Sequence, residues 1–291
     1  MLEIKATKND ENRTLFKVIT KYCSSLPLSR IEKLFRKKDI KVNGERKVEK
    51  SYLVQENDLI VIYGILEDTA TFEPTQVAKS AGTIKILYED ENILIVEKPI
   101  GLDVHGEENC LDNQVLAYLN FKMVDSFKPS HIGRLDKDTS GIMLYAKNYA
   151  TLSTLNAQTE CMIKKYTFFS NINLDNYSSK HPMMVKIFTV KDEKNKRMKA
   201  SPKQLPGSKE AITLFYMENG RKIAQLVTGR KHQIRLTLKY LGYPIEGDKK
   251  YHGASAKRLM LHSFSLKFQD LKGELKYLNN LEIISLPNFK R

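Results

Sequence analysis

One aspartate, Asp136, stands where a single carboxylate could do chemistry. It lies in residues 133–147, between polar residues and an apolar run. Residues 139–141, Thr-Ser-Gly, form a turn cluster that would hold Asp136 at a strand entrance, with both hydroxyls bonded to local backbone. A carboxylate placed in this way can act as a nucleophile or stabilise developing positive charge. A plain Asp-capped turn has the same local sequence, so the loop alone does not decide the matter.

Two side chains farther along the chain could complete such a site. Desolvation would raise the pKa of a carboxylate in a site that excludes water, and a nearby fixed cation offsets this effect. Arg235 is our choice, because a guanidinium binds a carboxylate bidentately and keeps its proton. Tyr166 offers a ring on which a flat group can stack. Outside such a site, Arg235 would be an ordinary surface residue near a helix start. Tyr166 would be an ordinary core residue, one of 14 tyrosines in the chain.

Other common kinds of active site are missing from the sequence. The six histidines have no metal-ligand spacing, and three separated cysteines indicate neither a metal site nor a disulfide framework. No G-x-S-x-G, phosphate-binding P-loop or G-x-G-x-x-G motif occurs. We therefore expect chemistry by side chains alone, without a metal or cofactor, in a reducing compartment.

The charge balance favours a polyanionic partner. The 291 residues include 48 Lys and Arg against 34 Asp and Glu, which gives a net charge of +14. Phosphate neutralisation supplies much of the affinity of proteins for nucleic acids. A lysine-rich codon bias would give the same surplus, so charge alone names no partner. Residues 1–13 lack the apolar core of a signal peptide, and no run reaches membrane-span length, so we expect a cytoplasmic protein without membrane contact.

Residues 14–63 predict two short helices, the second with a basic face. Apolar residues at helical spacing mark residues 15–22 as the first helix. A break at Pro27 follows, and Ser29 with Glu32 makes a capping box for the second helix. The outer face of this helix carries three basic residues that we expect to bind the partner: Arg30, Lys33 and Lys37.

A small sheet is predicted to complete this unit. Residues 40–44 alternate apolar and polar side chains and end in Asn-Gly, which favours a hairpin turn, and residues 59–63 read as a closing strand. Small and polar residues then indicate a linker. We divide the chain into a first domain at residues 1–66, a linker at 67–83 and a second domain at 84–291.

From residue 84 onward, strands outnumber helices. The predicted strands are residues 84–88, 93–96, 142–146, 165–170, 185–190, 210–217, 223–227 and 259–268. The predicted helices are residues 113–119, 149–159 and 232–241. Short turns connect most of these elements. The pattern indicates an α+β domain with a curved, mostly antiparallel mixed sheet and flanking helices, rather than a doubly wound fold.

Several segments, in order, resemble the motifs of the RluA-type pseudouridine synthases, which isomerise uridine in RNA. They are residues 96–101, 133–147, 164–166, 228–236 with their continuation to 248, and 258–263. The resemblance covers roughly residues 84–270. One departure is Gly133, where most members carry His before the Arg. His131 lies two positions earlier, and we expect it to pack rather than react.

The resemblance implies a role for each candidate residue. Asp136 would be the catalytic carboxylate and Arg235 its ion-pair partner. Tyr166 would lie over the target base, and its hydroxyl could help remove the proton from carbon 5. Arg134 would fill the place vacated by a uridine that leaves its stack, or hold a phosphate. Three residues near a helix start would contact phosphates: Arg230, Lys231 and His232.

The first domain resembles the alpha-L RNA-binding domain, found in a ribosomal protein and several RNA-modifying enzymes. Residues 28–31, 42–44 and 58–60 carry this likeness. The two resemblances together imply a monomeric, cofactor-free RNA pseudouridine synthase that contributes to rRNA processing. The first domain favours large-subunit ribosomal RNA as the substrate.

Four alternatives stay open. The first is a transfer-RNA pseudouridine synthase. The second is the related branch that modifies small-subunit RNA, which tends to have Thr-Glu-Gly where residues 139–141 read Thr-Ser-Gly. The third is a non-catalytic RNA-binding or ribosome-assembly protein on the same fold, which intact Asp136, Tyr166 and Arg235 disfavour. The last is a hydrolase with Asp136 as general base, for which the sequence offers no paired acid or metal.

Overall fold

The computed structural model of the protein describes residues 1–65, 84–106, 109–192 and 197–289. The linker predicted at residues 67–83 lies outside the described residues. No helix in the described part of the chain is both long and apolar enough to span a membrane.

Residues 1–65, here called the N-terminal unit, fold around their own sheet. Their elements are β1 (Leu2–Lys5), α1 (Leu15–Tyr22), α2 (Leu28–Arg36), β2 (Ile40–Val42) and β3 (Leu59–Ile62). β3 lies between β1 and β2 and runs antiparallel to both. The helices turn their apolar faces inward, so Leu15, Val18, Ile31 and Ile60 belong to one core formed within this unit. The two predicted helices and the closing strand are confirmed.

The capping box predicted at Ser29 and Glu32 is wrong. α2 begins at Leu28, with Pro27 at the N-cap and no side-chain hydrogen bond to the helix start. Pro27 has φ −60°, which favours entry into a helix at once. Ser29 is therefore already inside the first turn and cannot act as the cap.

Of the hairpin predicted at Asn43-Gly44, only the turn forms. Both residues have positive φ, at 51° and 89°, and Val42 and Glu45 exchange backbone hydrogen bonds of 3.0 and 2.9 Å. The chain then leaves the sheet, and β2 pairs with β3. Residues 45–50 are mostly charged and offer no alternating apolar face to bury, which explains why no returning strand forms.

The larger sheet is drawn from the rest of the described chain. Its strands are β4 (Lys85–Glu89), β5 (Ile93–Lys98), β6 (Ser130–His131), β7 (Ser140–Ala146), β8 (Met162–Phe168), β9 (Met183–Asp192), β10 (Arg197–Ser201), β11 (Lys209–Glu218), β12 (Arg221–Leu226), β13 (Leu261–Phe268) and β14 (Glu282–Ile284). The helices are α3 (Leu111–Tyr118), α4 (Tyr149–Ala157) and α5 (Gln233–Tyr240).

The order of strands in this sheet is β10-β9-β11-β12-β8-β13-β7-β5-β4, with β6 beside β7 and β14 beside β13. The β13–β7 pair is parallel, and the other pairs are antiparallel. This confirms a mostly antiparallel mixed sheet with few helices. All predicted strands and helices of this part are present, with ends shifted by up to three residues. The short strands β6, β10 and β14 were not predicted. β6 and β14 have only two and three residues, too few for an alternating pattern, and the five residues of β10 are mostly polar.

β7 is the strand that positions the Asp136 loop. All seven of its residues are buried, and it begins directly after that loop. Gly141 allows the parallel contact with β13, because a Cβ there would lie 2.3 Å from Ser263 O. The loop is thus held at the point where the parallel pair of strands begins.

Candidate active site

A pocket of about 820 Å³ lies where the Asp136 loop meets the start of α5 and the middle of β8. All site residues predicted for the second domain line it: Arg134, Asp136, Tyr166, Arg230, Lys231, His232 and Arg235. The three basic residues predicted in the first domain lie outside this lining: Arg30 and Lys33 on α2, and Lys37 at its C-cap, which together are called the basic face of α2. The volume falls within the range of small-ligand sites, so one nucleotide could enter.

Asp136 and Arg235 form the ion pair that the sequence predicted. Arg235 Nη1 lies 2.8 Å from Asp136 Oδ2. The Asp136 side chain is 25% exposed and that of Arg235 is 7% exposed. The carboxylate therefore faces the pocket while the guanidinium lies behind it. The fixed positive charge thus lies directly against one oxygen of the carboxylate.

Asp248 holds the other edge of the same guanidinium. Arg235 Nε donates to Asp248 Oδ2 at 2.8 Å, and Nη2 donates to Oδ1 at 2.9 Å. The Asp248 side chain is fully buried, and its Oδ1 also accepts from the backbone N–H groups of Lys250 and Tyr251. Such a bidentate pair fixes the plane of the guanidinium. With that plane fixed, Nη1 points toward Asp136.

The charge of Arg235 is secured by these two carboxylates. Burial lowers the pKa of Arg235, but Asp248 and then Asp136 raise it further, and the net effect is a pKa above the ordinary value. Sequence reasoning missed the role of Asp248. The available signal was an acid directly before Lys249 and Lys250, within a segment that already resembled a family motif.

His232 lies inside the site rather than on its open rim. Its Nδ1 is 2.6 Å from the Tyr251 hydroxyl, and its Nε2 is 3.6 Å from Asp136 Oδ1. Burial lowers the pKa of His232 to about 4, so the ring is neutral at neutral pH. With Tyr251 as donor to Nδ1, Nε2–H points at the carboxylate. Arg230 and Lys231 are exposed, as a phosphate contact requires, whereas the His232 ring faces Asp136.

Tyr166 lies on β8 with its ring in the pocket wall and is 8% exposed. Burial raises the pKa of Tyr166 to about 12; a hydrogen bond from Ser263 lowers it and the charge of Asp136 raises it. The phenol therefore keeps its proton at neutral pH. Its geometry and charge state favour a stacking platform over a proton acceptor.

A buried lysine anchors the Asp136 loop from below. Lys98 Nζ donates to the backbone oxygens of Pro99 at 2.8 Å, Leu102 at 2.7 Å and Lys137 at 2.9 Å. Burial lowers the pKa of Lys98 to about 8. Lys137 follows Asp136 directly, so this ammonium group fixes the loop. Lys98 lies in residues 96–101, one of the segments that resemble a family motif, but no role was predicted for it.

The hydroxyl of Ser140 was expected to bond local backbone, and that expectation is wrong. Ser140 Oγ accepts from Arg258 Nη2 at 2.6 Å and lies 2.8 Å from His262 Nδ1. His262 is buried, and burial lowers its pKa to about 4. Ser140 begins a strand, where its side chain points at the neighbouring strand β13 instead of along its own turn.

His131 pairs with Asp112 and has no contact with Asp136 among those the described residues make. Its Nδ1 lies 3.0 Å from Asp112 Oδ1, which also accepts from the Tyr145 hydroxyl at 2.9 Å. Gly133, the departure noted in the motif, has φ +73°, a left-handed conformation that suits glycine. Among the described residues, no group of three or more His, Cys, Asp or Glu could hold a metal ion.

Comparisons with known proteins agree with the motif resemblance. Residues 92–240 match the family model described as RNA pseudouridylate synthase. A Mycoplasma capricolum protein named "Uncharacterized RNA pseudouridine synthase" is 35% identical, with 99% of each chain covered. A Vibrio parahaemolyticus protein named "Ribosomal large subunit pseudouridine synthase C" is 31% identical, over 84% of this chain and 81% of its own.

Solved structures share the fold at low sequence identity. Human RNA Pseudouridylate Synthase Domain Containing 1 aligns with a TM-score of 0.56 and 19% identity, over 75% of this chain and 87% of its own. Human RNA Pseudouridylate Synthase Domain Containing 4 aligns with a TM-score of 0.54 and 23% identity, over 70% and 89%. These two structures support the assignment of the fold and nothing beyond it.

Proposed function

The chain belongs to the RNA pseudouridylate synthase family and isomerises uridine in RNA, and we propose that Asp136 is the carboxylate that carries this reaction. The ion pair between Asp136 Oδ2 and Arg235 Nη1, at 2.8 Å inside the pocket, is the observation that carries the proposal. It supplies a negative charge in one fixed position, at the place where a ribose would lie beside its uracil.

The reaction breaks one bond to the ribose and makes another. The bond from uracil nitrogen 1 to ribose carbon 1′ breaks, the base turns, and carbon 5 bonds to carbon 1′. Carbon 5 then gives up its proton and nitrogen 1 takes one, so the product is an isomer and no energy source is needed. Positive charge develops at carbon 1′, and Asp136 either bonds to that carbon or stabilises its charge.

Arg235 and Asp248 serve as positioning residues for Asp136. Arg235 is fixed by its two bonds to Asp248, so it orients the catalytic carboxylate without moving during the reaction. Preorganised charge of this kind costs no rearrangement when the transition state forms. His232 Nε2–H adds a second polar group on the other carboxylate oxygen.

Tyr166 binds the uracil base, and Arg134 fills the space that the base leaves in the RNA. The Tyr166 ring forms the wall on which uracil stacks, a contact worth roughly 1–3 kcal/mol. A uridine in folded RNA must leave its stack to reach Asp136, at a cost of a few kcal/mol. Arg134 is exposed at the same pocket and can take the vacated place in the RNA. Arg230 and Lys231, also exposed there, bind flanking phosphates.

Large-subunit ribosomal RNA is the substrate that we favour. The support is the Vibrio parahaemolyticus relative, which is named a ribosomal large subunit pseudouridine synthase and aligns over most of both chains. A transfer RNA is the second candidate within the same chemistry. The branch with small-subunit specificity is less well supported, because residues 139–141 read Thr-Ser-Gly.

The N-terminal unit is proposed to be an alpha-L RNA-binding domain, within a division into residues 1–66, 67–83 and 84–291. Its support is the basic outer face of α2, where Arg30 and Lys37 are exposed and Lys33 is partly exposed. Phosphate binding by this face should give the affinity a steep salt dependence. We further propose a monomeric cytoplasmic enzyme, consistent with three free cysteines. Light scattering during gel filtration would test the oligomeric state.

The decisive experiment maps pseudouridine in total RNA from cells with the gene, without it, and with the Asp136→Asn variant. The proposal predicts that one or more large-subunit sites lose modification in both altered strains. Sites lost only from transfer RNA would refute the ribosomal assignment. Modification that persists in the Asp136→Asn strain would refute the role of Asp136.

A further inference from the structure

A buried polar interface joins the N-terminal unit to the larger unit. Asp10 and Arg13 lie between β1 and α1, and they are 0% and 7% exposed. Arg13 Nη1 donates to the hydroxyl of Ser126, and that hydroxyl donates to Asp10 Oδ1. A side chain of the larger unit therefore stands between a cation and an anion of the N-terminal unit.

A second group of contacts lies beside the first. Asp125 Oδ2 accepts from Thr7 Oγ1 at 3.2 Å and from Asn9 Nδ2 at 2.8 Å. Asn9 Oδ1 accepts from the backbone N–H of Tyr149, the first residue of α4, at 3.0 Å. It thereby satisfies a donor that a helix start leaves unpaired. The Arg13 guanidinium lies over the Tyr149 ring, 4.6 Å from its centroid.

These residues are called the interface cluster: Thr7, Asn9, Asp10, Arg13, Asp125, Ser126 and Tyr149. Because these side chains are polar, they define the relative position of the two units more than they add to the free energy that holds the units together. A buried charge or donor costs free energy when a small shift separates it from its partner. Arg13 Nε is already a buried donor without a hydrogen-bond partner among the described residues. The cluster therefore tolerates one arrangement of the two units and resists sliding.

The interface cluster and the Asp136 loop lie at opposite ends of β7. Asp136 precedes this strand, with its backbone oxygen bonded to Thr139 N at 3.0 Å, and Tyr149 follows the strand. A strand of seven residues spans about 20–25 Å. Because β7 is buried along its whole length, it forms a stiff connection between the two places.

We propose that the interface cluster holds the basic face of α2 at a set distance from Asp136 and thereby selects which uridine of a large RNA is modified. The inference rests on the RNA-binding role proposed above for the N-terminal unit. A uridine reacts fastest when the phosphates bound by α2 lie at that distance from the base in the pocket. The cluster residues do not line the pocket, so they act through position and not through chemistry.

The test uses the full chain carrying Arg13→Ala and Asp125→Ala together. This pair removes one positive and one negative charge, so the net charge that attracts RNA stays the same. The matched control carries Glu3→Ala and Lys17→Ala, both exposed in the same unit and outside the cluster. Small-angle X-ray scattering should give a larger radius of gyration for the interface variant than for the control and the unaltered protein.

Activity is then compared on two RNAs. On a short hairpin that presents only the target uridine to the pocket, kcat/KM of the interface variant should be unchanged. On the large RNA, kcat/KM should fall about tenfold or more, because linked binding sites that fit together can raise affinity by roughly 10²–10⁴. Pseudouridine should also appear at uridines that the control variant leaves unmodified.

Three results would overturn the proposal. They are unchanged scattering, changed scattering with unaltered kcat/KM and site choice on the large RNA, and an equal loss of activity on both RNAs. A separate variant with Arg30, Lys33 and Lys37 changed to Gln tests RNA binding by α2. If its affinity keeps the full salt dependence, the RNA-binding role fails, and the selection role fails with it, whatever the scattering shows about the interface.

Discussion

Two buried arginines, Arg235 in the candidate active site and Arg13 at the interface, are held in different ways. Three nitrogens of Arg235 donate to carboxylates, two bonds going to Asp248 and one to Asp136. Arg13 donates to the hydroxyl of Ser126, and its Nε has no hydrogen-bond partner among the described residues. Each guanidinium also lies over a tyrosine ring, so packing alone does not distinguish them.

The difference shows what each region is built to do. A guanidinium clamped by two carboxylates keeps its charge and its orientation, which a catalytic carboxylate needs from its partner. A guanidinium that donates to a neutral hydroxyl makes a contact of defined geometry. Such a hydrogen bond contributes less to stability than one to a carboxylate. The site is therefore rigid by construction, whereas the interface is specific and comparatively easy to open.

The largest expected effect comes from replacing each arginine by glutamine. Arg235→Gln leaves the buried charge of Asp248 without its partner, so the free energy of unfolding should fall by about 3–5 kcal/mol. Arg13→Gln should cost about 1 kcal/mol. Denaturant unfolding of both variants measures the difference. Arg235→Lys keeps the charge and provides a folded form in which activity can be assayed; because it loses the fork geometry, kcat should fall about 10²-fold or more. Equal costs for the two arginines would remove the distinction.

The next largest effect concerns the aromatic ring in each region. Tyr166→Ala should cost about 1–3 kcal/mol in kcat/KM on the short hairpin, because uracil loses its stacking surface. Tyr166→Phe keeps the ring and should retain most of that kcat/KM. Tyr149→Phe, at the interface, is the control and should leave activity on the hairpin intact. If Tyr166→Phe were as damaging as Tyr166→Ala, the hydroxyl and not the ring would carry the role.

The last effect is a pH dependence that belongs to the larger unit. Burial lowers the pKa of His232 and of His262 from 6.5 to about 4. Between these values the unfolded state binds more protons, so the free energy of unfolding falls as the pH drops from about 6.5 to 4. The slope should approach about 1.4 kcal/mol per pH unit for each histidine. His262→Gln should remove about half of this slope, and an unchanged slope would contradict it. Arg13→Gln should leave the slope unaltered.

Local sequence was enough to predict the helices and strands whose apolar residues recur at helical or strand spacing. Helix α1 and the eight predicted strands of the larger sheet follow from the spacing of their apolar residues. The Asp136 loop was recognised because its residues are contiguous and chemically distinctive. The pairing of Asp136 with Arg235 was also predicted, since a buried carboxylate needs a fixed cation and a motif already singled out that arginine.

The rest depends on contacts between distant residues that local patterns do not encode. Asp248 acts only through the far side of Arg235, and Lys98 only through the carbonyl of Lys137. The interface joins Asp10 to Ser126, which are 116 residues apart, and its polar side chains look like ordinary surface residues in the sequence. The backbone contacts expected for the Ser140 hydroxyl failed for the same reason, because distant Arg258 and His262 bind it instead. The cap expected at Ser29 failed for a local reason, since Pro27 already begins the helix.

The measurement that tests the central claim most directly is release of tritium from RNA labelled at carbon 5 of uridine, catalysed by the Asp136→Asn variant. This change removes a charge but keeps the shape of the side chain. The account predicts a fall in rate of about 10⁴-fold or more, with the affinity for RNA preserved. Release at close to the normal rate, from a folded variant that binds RNA normally, would show that the negative charge held by Arg235 does not carry the reaction.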